Sequence, residues 1–231
     1  MGSEPPRILR NSDFVGDQKR GNWLLVNWEQ RFLNWLVPRV PGWLGTVPLT
    51  LLTLLWGIGL VYCGFRAAEN LQWLWVFNLF ILLQYITDML DGAVGRARKT
   101  GLVKWGYYMD HFWDYIFLCS IFLGYSFLIP LEYKILEMIL LILAVSIMVN
   151  AFLYFAVTNE FRISFCRFGT SEIRYCVIGF NIAVMHFGQA IILKALPYAI
   201  GLTTLAVFSM VFMTQQQLRT IDLAPFKKPS R

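Results

Sequence analysis

Asp88-Met89-Leu90-Asp91-Gly92-Ala93-Val94-Gly95-Arg96, then a basic run, then Gly106-Tyr107-Tyr108-Met109-Asp110-His111-Phe112-Trp113-Asp114: the chain is organised around this stretch. Asp88 and Asp91 are three residues apart, and Asp110 and Asp114 four apart. Each pair therefore shares one face of its own helix. The flanks on both sides are apolar enough to cross a membrane. An ionised Asp at the centre of a bilayer costs about 3 kcal/mol on insertion scales, and such residues mark a function. Four carboxylates on two consecutive helices, joined by a Gly-rich basic loop, make a pocket for hard cations. Oxygen ligands with no nearby Cys and one flanking His favour Mg²⁺, Mn²⁺ or Ca²⁺ over zinc or copper.

The rest of the composition agrees with a membrane setting. Of 231 residues, 57% are hydrophobic and only 15% charged, and the mean hydropathy is +0.54. A soluble domain needs more charge than this to stay dispersed. The apolar residues also gather into long runs. The fold class expected is an all-α integral membrane protein with six transmembrane helices and an N-terminal interfacial amphipathic helix. At about 20 apolar residues per span, the predicted spans fall at 46–64, 71–91, 106–129, 135–157, 174–194 and 197–217.

Working outward, residues 1–21 read as a mobile tail, and 22–38 as the amphipathic helix. Leu24, Leu25, Trp28, Phe32, Trp35 and Leu36 fall on one face of that helix, with Asn27, Gln30, Arg31 and Asn34 on the other. Pro38 and Pro41 end it. A helix of this kind lies in the interface, with its tryptophans at headgroup depth. Residues 46–217 form the six-span catalytic membrane domain, and 218–231 a basic tail. The first 20 residues are polar and charged, unlike a signal peptide. Pro6 stands where a myristoylation signal has Ser or Thr. Cys63, Cys119, Cys166 and Cys176 show no metal-like spacing and predict no disulfide framework.

Six spans put both termini and the loops 92–105 and 158–173 on one side. That side carries 17 of the 20 Lys and Arg residues, the exceptions being Arg66, Lys134 and Lys194. The positive-inside rule makes it cytoplasmic, and the aspartates with it. The net charge of +6 expresses this topology and some attraction to anionic lipid. Without a basic soluble domain it does not indicate nucleic acid.

Four carboxylates facing one another repel, and a pair of divalent ions answers that repulsion. Two cations can clamp a diphosphate and orient an in-line attack on it. Gly92, Gly95 and Gly106 leave room for a ligand near the backbone, and the planar fork of Arg96 suits phosphate oxygens. Taken together, the string D-xx-D-G-xx-G-R, nine residues, G-xxx-D-xxx-D resembles the signature of the CDP-alcohol phosphatidyltransferases. That signature is D-xx-D-G-xx-A-R, a spacer of eight or nine residues, then G-xxx-D-xxx-D. Gly95 replaces the usual alanine, which keeps the site small. The layout of an interfacial helix followed by six spans is similar as well.

The resemblance implies that Asp88, Asp91, Asp110 and Asp114 form the set around two divalent cations, Mg²⁺ or Mn²⁺. It implies further that Asp114 is the general base, taking the proton of an acceptor hydroxyl that attacks the β-phosphorus of a CDP-linked donor and expels CMP. Gly92, Gly95, Arg96 and Gly106 would shape the CDP pocket. Arg162-Ile-Ser-Phe-Cys-Arg167-Phe-Gly-Thr-Ser-Glu172-Ile-Arg174 resembles the family's G-P-T-E segment, with threonine for proline. Arg162, Arg167, Glu172 and Arg174 are thus candidates for an acceptor or phosphate site at a helix N-terminus. A basic loop followed by a Ser/Thr cap reads equally well.

Structural pairing of the aspartates with Arg96, Arg98, Lys99 and Lys104 would not require this spacing with glycines in place. His111 faces about 100° away from Asp110 and suits packing, and His186 suits an intramembrane hydrogen bond. Thr50 and Thr53 could line the site or bond back to their own helix. The expected reaction transfers a phosphatidyl group from CDP-diacylglycerol to an alcohol, a phosphorylated polyol being one candidate. The same motif would serve the reverse arrangement, in which CDP-choline or CDP-ethanolamine acts on diacylglycerol. A cation channel or transporter is the reading of another class, though no acidic set matches at the outer face. Partners are the bilayer, a CDP-linked lipid donor and an alcohol acceptor. A bacterial cytoplasmic membrane is the expected setting. Relatives of the resembled family form homodimers, and no feature of this sequence fixes the oligomeric state.

Overall fold

A computed structural model describes residues 26–158 and 170–223. Arg162 and Arg167, the first tail and the last eight residues lie outside that range. The described residues form seven α-helices, in order α1 Val26–Leu36, α2 Thr46–Ala67, α3 Trp73–Ala97, α4 Val103–Ser126, α5 Lys134–Thr158, α6 Thr170–Phe187 and α7 Ala190–Leu223. Two single 3₁₀ turns, Val37–Arg39 and Leu131–Tyr133, precede α2 and α5. There is no strand among the described residues.

Among the described residues, four segments are long and apolar enough to cross a membrane: α2, α3, Leu131–Thr158 and α7. The other two of the six expected spans correspond to α4 and α6. These carry Asp110, Asp114, Glu172, Arg174 and Asn181 within their lengths, and those polar groups lower their apolarity. One boundary differs from the expected break at 194–197. Gly188, with φ +86°, turns the chain after α6 and donates its N–H to the Val184 carbonyl at 2.9 Å. Pro197 lies inside α7, not at its start.

Close packing centres on α2, which both α3 and α4 follow along their lengths, while α5 packs on α7 and α6 on α3. Small residues permit the α2–α4 contact. A Cβ added to Gly64 would sit 2.3–2.6 Å from backbone atoms of Gly124, and one on Gly57 would meet Ser120 Oγ at 2.9 Å. Backbone cannot yield as a side-chain tip can. We therefore expect Gly64→Val to destabilise the fold by roughly 2 kcal/mol or more, as overpacking does, read as a lower thermal midpoint in detergent. An unchanged midpoint would show that the two helices can part there at little cost.

The core comprises Leu60, Cys63, Leu74, Phe77, Ile81, Phe117, Leu128, Val184 and Ile192, among others. Buried polar bonds cross it. Asn181 of α6 donates to Asn78 Oδ1 of α3 at 2.6 Å and accepts from the Tyr125 hydroxyl of α4. Large apolar side chains such as Ile58 and Phe65 of α2 and Leu202 and Phe208 of α7 are exposed. So large an apolar surface suits hydrocarbon, not water. Cys63, Cys119 and Cys176 are free thiols.

At one end of the bundle a smaller cluster of Leu49, Leu90 and Val94 is covered by Leu33 and Leu36 of α1 and by Val37, Val40 and Leu44 after it. Trp28 and Trp35 on α1 are exposed. The segment linking α1 to α2 is tied down by Arg98, whose guanidinium donates to the carbonyls of Val40 (2.8 Å), Pro41 (3.1 Å), Leu44 (3.1 Å) and Gly42 (3.3 Å). Helix α3 closes in a Schellman arrangement. Thr100 N–H bonds to Gly95 O and Lys99 N–H to Arg96 O, with Lys99 at φ +51° in the position that usually holds glycine. The chain reverses there and begins α4.

Candidate active site

Helix geometry alone brings Asp110 and Asp114 together on α4, one turn apart. The packing adds Asp88 from α3. Each of these three carboxylates can offer an oxygen within 4.8 Å of the other two. The backbones of α3 and α4 do not pack closely here, and the helices meet through side chains. Gln84, one turn before Asp88, donates Nε2–H to Asp114 Oδ1 at 3.1 Å. From α6, Arg174 places Nη2 3.0 Å from Asp88 Oδ2 and 3.7 Å from Asp114 Oδ1. The side chains of Arg174 and Asp88 are only 13% and 11% exposed, so this ion pair is shielded from water far more than a surface pair.

Asp91 stands outside the group of three. On an ideal helix it sits about 60° round from Asp88, and that angle turns it toward α2. Its Oδ2 accepts from the Thr50 hydroxyl at 2.8 Å, its Oδ1 accepts from the Gly92 N–H, and its carbonyl accepts from Thr46 Oγ1 at 3.3 Å. Thr50 Oγ1 also lies 3.0 Å from Thr46 O, so its single hydroxyl proton is shared between that carbonyl and Asp91 Oδ2.

The glycines differ in what they permit. A Cβ on Gly95 would lie 2.8 Å from Thr46 Oγ1, so this position lets α3 approach the start of α2. Nothing lies within 4 Å of a Cβ placed on Gly106, one turn before Asp110. That open flank is where a ligand could approach the cluster. At Gly92 a Cβ would meet Arg96 Nη1 at 3.2 Å, so Arg96 folds back along its own helix. His111 bonds through Nδ1 to Tyr107 O at 2.7 Å and packs against the rings of Tyr107 and Phe152, with Asp110 Oδ2 at 4.0 Å. Glu172 is buried at the start of α6.

An all-oxygen set of three convergent carboxylates fits a hard divalent cation. The family model described as CDP-alcohol phosphatidyltransferase matches residues 46–221. The chain belongs to the CDP-alcohol phosphatidyltransferase family. No match was found among curated proteins or among solved structures. Membership places the chain among the phosphotransferases, whose members carry a group from a CDP-alcohol to an acceptor. With its four apolar helices, it is an integral membrane protein.

Two features of the site escaped the sequence reading. Gln84 is a polar residue one turn from Asp88 within an apolar run, and that position was the available signal. It is fully buried, and its Oε1 has no hydrogen-bond partner. Gln84→Leu preserves bulk and removes the donor to Asp114. Hydrogen bonds to charged groups contribute about 1.5–3 kcal/mol, so we expect roughly a tenfold or greater loss in kcat. The thermal midpoint should hold or rise, because an unpartnered buried carbonyl disappears with it. A fall in the midpoint without loss of turnover would mean that Gln84 serves packing alone. The second feature is Glu29, the single acidic residue between 22 and 38.

Proposed function

We propose that this protein transfers a phosphatidyl group from CDP-diacylglycerol to an alcohol acceptor, releasing CMP at the cytoplasmic face of a membrane crossed by six helices. The convergence of Asp88, Asp110 and Asp114 from two helices, in a chain of this family, carries the reading. In it these three carboxylates, joined by Asp91, hold two divalent cations, Mg²⁺ or Mn²⁺. When bound, the cations neutralise charge on the diphosphate and on the departing CMP.

The side chains have separate tasks. Asp114 accepts the proton of the acceptor hydroxyl as its oxygen bonds to the β-phosphorus and the bond from that phosphorus to CMP breaks. Gln84 holds the Asp114 carboxylate in one orientation. Gly92, Gly95, Gly106 and Arg96 shape the nucleotide pocket, and the open flank of Gly106 supports this. An open apolar groove of about 550 Å³, lined by Tyr115, Cys119, Ile142, Val145, Val149 and Leu153 among others, supports a substrate with acyl chains. A phosphorylated polyol is the acceptor class we favour, since Arg174 already brings a cation to the cluster.

The test is CMP release by purified protein in liposomes with Mg²⁺ or Mn²⁺ and CDP-diacylglycerol. Glycerol 3-phosphate, inositol phosphate, inositol, serine, ethanolamine and choline are offered in turn. Acceptor-dependent CMP is the expected result, with Arg174→Gln raising the acceptor KM if that acceptor bears a phosphate. CMP formed only from CDP-choline or CDP-ethanolamine with diacylglycerol would reverse donor and acceptor. Cation flux without nucleotide would replace the reading altogether.

A further inference from the structure

Glu29 lies on α1, between two exposed tryptophans, yet its side chain points inward and is 6% exposed. Its Oε1 accepts two hydrogen bonds, from the Tyr85 hydroxyl at 2.5 Å and from Ser171 Oγ at 2.7 Å. Tyr85 belongs to α3 and Ser171 to α6. Each sits three residues before a member of the candidate site: Tyr85 before Asp88, and Ser171 before Arg174. On a helix that spacing places the two groups on one face, one turn apart. A single buried carboxylate thus clamps α3 to α6 one turn away from the Asp88–Arg174 pair.

A further contact leads from this clamp to the pair. The Arg174 guanidinium lies over the Tyr85 ring, 5.4 Å from its centroid, and Tyr175 meets the same ring edge-on at 5.8 Å. The phenol that holds Glu29 therefore also carries Arg174 on its face, and cation–π attraction is strongest where water is excluded. A buried carboxylate stripped of its donors would be costly, so the clamp has one low-energy arrangement.

We propose that Glu29 is a positioning residue, which through Tyr85 and Ser171 fixes the α3–α6 separation and so holds Arg174 against Asp88 and Asp114. Helix α1, with its tryptophans outward, is then part of the scaffold of the site. The proposal rests on the reading of the aspartates as a divalent-cation site, and its test does not depend on turnover alone. Arg174 is a cation 3.0 Å from a carboxylate of that site and opposes a divalent ion there. Loosening the clamp should therefore tighten metal binding while slowing reaction, a pairing that general damage to the fold does not produce.

The experiment uses the full chain in detergent or liposomes, with Mn²⁺ affinity read by paramagnetic resonance beside CMP release and thermal midpoint. Tyr85→Phe and Ser171→Ala open the clamp without changing charge. Each is expected to bind Mn²⁺ about threefold more tightly and to lose about tenfold in kcat, as single charge-assisted hydrogen bonds do. Glu29→Gln keeps an acceptor but removes the charge that strengthens both bonds, so its kcat and Mn²⁺ affinity should fall between those of the wild type and of these two variants. In an Arg174→Ala background, Tyr85→Phe should leave Mn²⁺ affinity unchanged. Equal tightening in that background, or a lower midpoint with unaltered Mn²⁺ affinity, would overturn the proposal. If the wild type binds no Mn²⁺, the metal reading fails by itself. Glu29 is then judged by the midpoints of Tyr85→Phe, Arg174→Ala and their combination, where additive shifts overturn the coupling and non-additive shifts support it.

Discussion

Asp114→Asn is expected to lower acceptor-dependent CMP release by a thousandfold or more while leaving the protein folded. The substitution is isosteric, and Asn can still accept from Gln84 Nε2, which lies 3.1 Å from Asp114 Oδ1. What it removes is one negative charge and the basic oxygen. General base catalysis contributes about 10²–10⁴-fold, and the lost charge also weakens the hold on cations. The stability effect should be small, because Arg174 keeps its nearer partner, Asp88 at 3.0 Å against 3.7 Å for Asp114. CMP release and thermal midpoint measured on the same preparation decide it. More than a tenth of wild-type turnover in the variant would remove Asp114 from the role of base.

Asp88→Ala should combine two losses. It deletes one of the three convergent carboxylates, which ends turnover under the proposed mechanism. It also strips the largely buried Arg174 of its nearer counter-charge. Breaking a buried pair by removing one partner costs about 3–5 kcal/mol, because the remaining charge is uncompensated. Here the cost should sit at the lower end, since Asp114 remains 3.7 Å from the guanidinium. The double variant Asp88→Ala/Arg174→Ala is the informative companion. Its thermal midpoint should recover toward wild type, while CMP release stays absent. If Asp88→Ala alone melts like the wild type, the ion pair contributes nothing measurable. If it turns over normally, Asp88 is not part of the site.

These outcomes rest on different amounts of foresight. That Asp110 and Asp114 share one face of their helix was legible at once, because it follows from a four-residue spacing. Helix ends were legible where local chemistry decides them. Within the segment read as amphipathic, Val26–Leu36 is helical, with Trp28 and Trp35 exposed. The end of α6 was not, since Gly188 resembles any other glycine until its positive φ is seen. The pairing of Asp88 and Asp91 was legible only as a shared face. An offset of about 60° lets one carboxylate join α4 while the other reaches Thr50 on α2.

By itself the sequence determined the membrane class, the order of the helices and the family. Those follow from composition, from apolar run length and from a motif whose spacing is local. Only the tertiary structure decided which groups meet across helices. Tyr85 and Ser171 lie 56 and 142 residues from Glu29, and Arg174 lies 86 residues from Asp88. Such contacts depend on how helices rotate and cross, which side-chain packing along their whole lengths sets and no local pattern encodes.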